Sequence, residues 1–250
     1  MRIRHTALAL AAGFVVLSAA TMPAAAQPGT IPPPPPPAPG SYRAAPEADV
    51  DAAALLAALG RCTTQISKGG YATDRGRAAN IPVCERREAV YWTADMDIDC
   101  DGRRTARCNR DTDPSYQPAT AFTQSDGRYL NAEKLPFVVV PAPSGIWDYR
   151  SSGIRGGSAA VMIHDGKVVY GVVGDTGPSG IIGEASYGAA QALGIDPDPA
   201  TGGVPSGVTY IVFKDSKVSP IESHPSAAAL GEELARRFLA GAEETGAAAR

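Results

Sequence analysis

Carboxylates carry the chemistry available to this sequence. In YWTADMDIDCDG, residues 91–102, aspartates stand at every second position: Asp95, Asp97, Asp99 and Asp101. Alternate side chains of an extended strand share a face, so these four fall on one side and Met96, Ile98 and Cys100 on the other. Carboxylates packed together repel and their pKa values rise. The acidic side must therefore meet water, a metal cation or a cationic ligand. A second pair lies in GVVGDTGPSGIIGEAS, residues 171–186, where Asp175 ends an apolar strand and Glu184 follows a Gly/Pro turn at the expected start of a helix. Two carboxyl groups on rigid elements joined by a short loop suit general acid and base work. Ordinary readings compete with it: Asp175-Thr176-Gly177 can be a plain turn, and Glu184 can serve the helix dipole.

Calcium is one candidate for the aspartate row. Asp97-Ile98-Asp99-Cys100-Asp101-Gly102 matches the first half of an EF-hand loop, but the bidentate Glu needed at position 12 falls on Cys108. A calcium site of another geometry stays open, as does a solvated acidic edge that guards a sheet against pairing. Outside the N-terminal segment the histidines are His164, beside an Asp-Gly turn, and His224, before Pro225. Neither lies near a serine-nucleophile motif, and HExxH, phosphate-loop and dinucleotide fingerprints are missing. What remains is paired carboxylates, the machinery of glycoside hydrolysis.

The elements that must hold these groups are mainly β. Residues 89–99, 137–140 and 208–213 read as strands, and 160–163 and 168–173 flank Asp165-Gly166 as a hairpin. Helices are expected at 48–59, at 184–193 with Gly194 as its stop, and at 226–240, with a frayed tail beyond. Short strands without strand–helix alternation point to a mainly β (α+β) fold. A small six-stranded β-barrel with peripheral helices, double-psi-like in one version, fits better than a parallel α/β sheet.

Residues 1–26 have the layout of a secretory signal: basic Arg2 and Arg4, an apolar run at 7–20, and small residues before Gln27. Residues 27–45 hold six consecutive prolines and read as a stiff linker, leaving 46–250 as one domain. Loss of Arg2 and Arg4 with the signal takes the net charge from −3 to −5, which argues against nucleic acid and for a cationic partner. No later run is long enough to span a membrane. The four cysteines of an exported chain read as two disulfides. Of three pairings, Cys62–Cys84 and Cys100–Cys108 are favoured because sequence neighbours close small loops; a four-cysteine zinc site lacks close Cys-x-x-Cys pairs.

Several stretches also resemble one enzyme family. TADMDIDCDG, CNRDTDPSYQPATAF, LPFVVVP and GDTGPSGIIGEAS are similar to the chitosanases of glycoside hydrolase family 75, over residues 68–213. The resemblance implies a secreted, monomeric enzyme, without metal or cofactor, that cleaves β-1,4 bonds within chitosan and inverts the anomeric carbon. The family's essential Asp and Glu fall on Asp175 and Glu184, with a gap shorter than in the fungal members. It also supplies a cationic ligand for the aspartate row. Alternate strand positions lie ~6–7 Å apart, of the order of one sugar, so Asp95, Asp97 and Asp99 become candidate amine-binding residues. Tyr116 and Trp147, with Trp92 and Tyr149, are candidate sugar platforms, although Trp92 equally suits a core.

On this reading Glu184 protonates the glycosidic oxygen and Asp175 activates water, or the roles are exchanged. A helix start at Glu184 would lower its pKa and oppose the acid role, unless burial near Ile181 and Ile182 outweighs it. The alternatives are a calcium-stabilised carbohydrate-binding module without catalysis, and a peptidoglycan-lytic β-barrel enzyme using a lone Asp.

Overall fold

The computed structural model describes residues 50–248, with side chains as far as residue 242. The expected signal, the Pro-rich linker and the first residues of the expected domain lie outside these. Seven strands form the frame: β1 (Cys84–Arg86), β2 (Ala89–Asp99), β3 (Phe137–Pro141), β4 (Ala159–His164), β5 (Lys167–Gly177), β6 (Glu184–Ser186) and β7 (Val204–Phe213). Their order is β1-β2-β6-β3-β5-β4-β7, and β2 also pairs with β7. Six strands therefore close into a barrel, as the sequence leads one to expect, and β1 hangs from its outside. Both parallel (β2–β6, β3–β5) and antiparallel pairings contribute.

Alternation along the strands divides the apolar residues into two cores. Val90, Trp92, Ala94 and Met96 join Val138, Val140, Ala160, Met162, Tyr210 and Val212 in a cluster fed by all six barrel strands, which fills the barrel. Tyr91, Phe137, Val139, Val161, Tyr170 and Phe213 belong to the other, which packs under α1 (Ala52–Leu59) and α3 (His224–Ala248). The two-residue turn between β4 and β5 has positive φ at both Asp165 (46°) and Gly166 (76°), the twist that a tight hairpin needs.

Three helix expectations change. The first helix begins only at Ala52, where the Asp51 side chain accepts from the Ala53 N–H as its cap; such a cap is worth about 1 kcal/mol. The last helix starts at His224 and continues to Ala248, through the stretch expected to fray, because no proline interrupts it. Most consequential, the helix expected from Glu184 starts at Tyr187: α2 spans Tyr187–Leu193, with Ser186 as cap. Glu184 lies instead on β6, hydrogen-bonded between two strands. Gly194 does end α2, at φ 77°.

Both favoured disulfides are present, Cys62–Cys84 and Cys100–Cys108, and no described cysteine is free. The first staples the segment after α1 to β1. The second closes the loop that leaves β2.

Candidate active site

Register brings the carboxylates together. Glu184 pairs with Asp97 on one side and with Val139 on the other, and Val139 pairs with Asp175 across the next strand. Asp97, Glu184, Val139 and Asp175 thus form one row across β2, β6, β3 and β5, all facing the same way. Asp175 reaches this row by a β-bulge. Val173 pairs with Val138 of the barrel interior, but the register slips at Gly174, and Asp175 pairs with Val139 of the outer face. Without the extra residue Asp175 would point with Val173 into the apolar barrel; bulges are a usual way to re-aim a side chain. Glycine is required there, since a Cβ on Gly174 would come within 2.5 Å of the Phe137 ring.

Backbone amides hold several of these carboxyls. Asp175 Oδ1 accepts from the Ala121 and Thr176 N–H groups, both at 2.7 Å. Asp99 Oδ1 accepts from the Asp101 N–H at 2.5 Å, and Asp101 Oδ1 from the Gln117 N–H at 2.6 Å. A cavity of about 400 Å³ opens here, lined by Asp97, Asp99, Asp101, Asp113 and Glu184 and roofed by Pro199, Ala200 and Gly202. It shares Asp97 and Gly202 with a second cavity of about 660 Å³, lined by Asp74, Asp95, Thr201 and Pro205 among others. The two make one acidic groove.

Crowding of like charges in a buried place sets the proton inventory. Burial, then the charges of Asp97, Asp101, Asp175 and Asp113, push Glu184 up to about 8. Asp99 is raised well above the usual carboxylate range by burial and by Glu184, Asp175 and Asp101. Burial lifts Asp101 to about 6 against its hydrogen bond from Gln117, and raises Asp175 against its two amide hydrogen bonds. The helix-dipole objection to Glu184 as an acid disappears with the helix start: on β6, burial and neighbouring charge dominate, and Glu184 keeps its proton at neutral pH.

The aspartate row is less uniform than alternation suggests. Asp97 is exposed, whereas Asp95 and Asp99 are each only 5% exposed. β2 ends at Asp99, so Cys100 and Asp101 belong to the following loop. Neighbouring β6 covers this part of the strand, a long-range pairing that two-residue periodicity cannot reveal. Among the described residues, the grouping able to hold a metal ion is Asp99, Asp101 and Asp175, with one oxygen of each within 4.8 Å of the others. The EF-hand reading fails, because Cys108 is in a disulfide and a strand stands where the entering helix should be.

The aromatic residues are not exposed platforms. Tyr116, Trp147 and Tyr149 are buried, as is Trp92. Trp92 stacks on Tyr210 at 5.3 Å and meets Trp147 edge-on at 6.3 Å. Trp147 donates to the Ser152 hydroxyl, and Tyr116 OH donates to the Gly102 carbonyl at 2.7 Å, which braces the acidic loop. The polar tips of Trp147 and Tyr116 are thus satisfied internally, and all four rings are buried. Two groove acids escape the sequence reading. Asp113 is buried with its Oδ1 accepting from the Ser115 N–H, and Asp74 faces Asp95. Asp113-Pro114-Ser115 reads as an ordinary turn, and its place in the wall of the groove appears only in the folded chain.

A closed barrel whose outer face brings Asp97, Glu184 and Asp175 into one row beside an acidic groove is an arrangement that suits glycoside hydrolysis by paired carboxylates. The fungal chitosanases of glycosyl hydrolase group 75 match residues 96–248, and the chain belongs to that family. It is similar to endo-chitosanase C of Aspergillus oryzae, 32% identical over 133 residues, which cover 52% of this chain and 32% of the relative. An endo-chitosanase of Aspergillus oryzae (strain ATCC 42149 / RIB 40) is 32% identical over 189 residues, 66% of this chain and 75% of the relative. One from Aspergillus fumigatus is 28% identical over 144 residues, 53% and 60% respectively. The chain thus spans between about a third and three quarters of the length of these relatives.

Proposed function

We propose that this chain is a secreted, monomeric endo-acting chitosanase that hydrolyses β-1,4 glucosaminidic bonds with inversion, using Glu184 as general acid and Asp175 as general base. The observation that carries this reading is the register of both residues with Val139. Two strand spacings separate their backbones by about 9–10 Å. Inverting enzymes hold their carboxyls ~6.5–9.5 Å apart, which leaves room for a water on the far side of the sugar. Glu184 holds a proton to give to the leaving oxygen. Asp175 is fixed through Oδ1 and keeps its other oxygen to orient and deprotonate that water. The surrounding acids, with Asp95, Asp97 and Asp99 as candidates, attract a chain of ammonium-bearing sugars and raise its local concentration.

Secretion draws support from the two disulfides and from the absence, among the described residues, of a helix long and apolar enough to cross a membrane. The monomer reading draws on the closed barrel, whose strands are paired round the circle. The test is release of reducing ends from soluble chitosan, with nuclear magnetic resonance of the first products. Fresh ends of α configuration from the β-linked polymer are expected. Fresh β ends would overturn inversion, and an unshortened polymer would overturn the chitosanase reading. Peptidoglycan as a parallel substrate separates a cell-wall lytic enzyme from this one.

A further inference from the structure

Asp95 is the carboxylate that acid–base chemistry leaves without a task. It is 5% exposed, and its Oδ1 is buried with no hydrogen-bond partner. Its position is built rather than accidental. Tyr210 OH donates to the Asp95 carbonyl at 2.8 Å. Gly183 lies so close that a Cβ there would come 1.9 Å from Asp95 Oδ1. Opposite Asp95 the β2–β7 register breaks: Ala94 pairs with Val208 and Met96 with Val204, so Pro205, Ser206 and Gly207 loop away from one aspartate. The cavity of about 660 Å³ occupies the space this leaves, with Asp95 in its wall and Asp74 and Asp97 beside it. The cation lining it, Arg77, is turned to Asp74 at 3.8 Å. A buried carboxylate without a hydrogen-bonded partner for one oxygen is expensive, and a cationic group entering from the groove would relieve that cost.

We propose that this cavity is an amine subsite. It takes the ring next to the cleavage position, and Asp95 receives that ring's protonated 2-amino group. Asp97 and Gly202 join the cavity to the one containing Glu184, which places the ring beside the scissile bond. The inference rests on the chitosanase reading and adds to it: an N-acetylated ring brings no charge and more bulk, so Asp95 makes the enzyme demand a deacetylated unit at this one position. Asp95 is here a specificity-determining residue and takes no part in proton transfer.

Partially acetylated chitosan is digested by the wild type and by Asp95→Asn, and both ends of the products are sequenced by mass spectrometry. The wild type should show free glucosamine almost exclusively at one end. Asp95→Asn should admit acetylated units there several-fold more often. On fully deacetylated chitosan its kcat/KM should fall at least ~10-fold, mainly through KM, because a buried charge pair is lost. The Tm should not fall, since the variant replaces a buried carboxyl whose Oδ1 has no hydrogen-bond partner. Should Asp95→Asn fold poorly, Asp74→Asn on the exposed wall should shift the end pattern the same way. End sequences unchanged in both variants, or acetylated units already common at both ends of wild-type products, overturn the subsite while leaving the chitosanase reading intact. A wild type that never shortens chitosan removes both.

Discussion

Asp175 and Glu184 both stand in register with a single residue, Val139 of β3. Their separation is therefore set by the sheet and not by the connection between them. The length of the connection does not set the gap, because hydrogen bonds to the intervening strand hold both ends. Glu184→Gln and Asp175→Asn should each lower kcat by ~10²–10⁴-fold, the usual worth of a positioned acid or base. Circular dichroism of both should match the wild type. Turnover near wild type in either variant would remove that residue from the reaction.

Acid–base roles carry a pH signature. In the proposed role Glu184 acts while protonated, and burial with the neighbouring carboxylates pushes its pKa up to about 8. The rate should fall as pH rises through that value and hold below it until Asp175 is protonated. A profile that rises above pH 8 would favour exchanged roles.

Stability should follow the same protons. Above about 4.5 the unfolded chain, with ordinary carboxyls, has released its protons, while the folded chain keeps them on Asp101 to about 6, on Asp95 to about 7 and on Glu184 to about 8. The folded state binds more protons, so stability decreases with rising pH across that window. Thermal melts should show Tm lower at pH 8 than at pH 5, and Glu184→Gln should flatten the slope. A Tm that climbs from pH 5 to pH 8 would contradict the crowding of these groups.

Gly177 gives Glu184 its room. A Cβ there would lie 3.0 Å from Glu184 Oε2 and 3.1 Å from Val139 Cγ1. Gly177→Ala should displace the acid by a few tenths of an ångström and lower kcat measurably, by less than the ~10²-fold that a misplacement of about 1 Å can cost. The fold should survive, because Gly177 closes β5 without needing positive φ. Unchanged kcat would mean that Glu184 has slack.

The cluster of Asp99, Asp101 and Asp175 can be neutralised by protons or by an ion. Treatment with a chelator, followed by dialysis, should leave both activity and Tm unchanged if protons do the work. A loss restored by calcium would assign the cluster to a cation.

Local signals found much of this. The bounds of β2, the hairpin about Asp165-Gly166, both disulfides and the Asp175–Glu184 pair follow from alternation, turn chemistry, cysteine spacing and the resemblance to a family. Signals that depend on partners far along the chain did not show. The short strand β6 reads as a helix start because its β pairing is supplied by Asp97–Asp99 and Val138–Val139, many residues upstream. Burial of Asp95 and Asp99 needs distant residues too: Gly183 lies against Asp95, and β6 pairs at Asp99. Trp147 reads as exposed because its glycine-rich surroundings hide the Trp92–Tyr210 stack that it meets edge-on. The Gly174 bulge was visible as a glycine before an aspartate in GVVGD, yet its effect on facing needs the register of β3.

Strand β2 has two obligations. Ala89–Ala94 zips along β7 to seal the barrel, while Asp97–Asp99 carries the acids. The family match begins at Met96, midway along it. A recombinant fragment trimmed to that boundary would forfeit the seam, β1 and the Cys62–Cys84 staple together. The smallest autonomous piece must reach back beyond the homologous region, at least to the helix capped by Asp51.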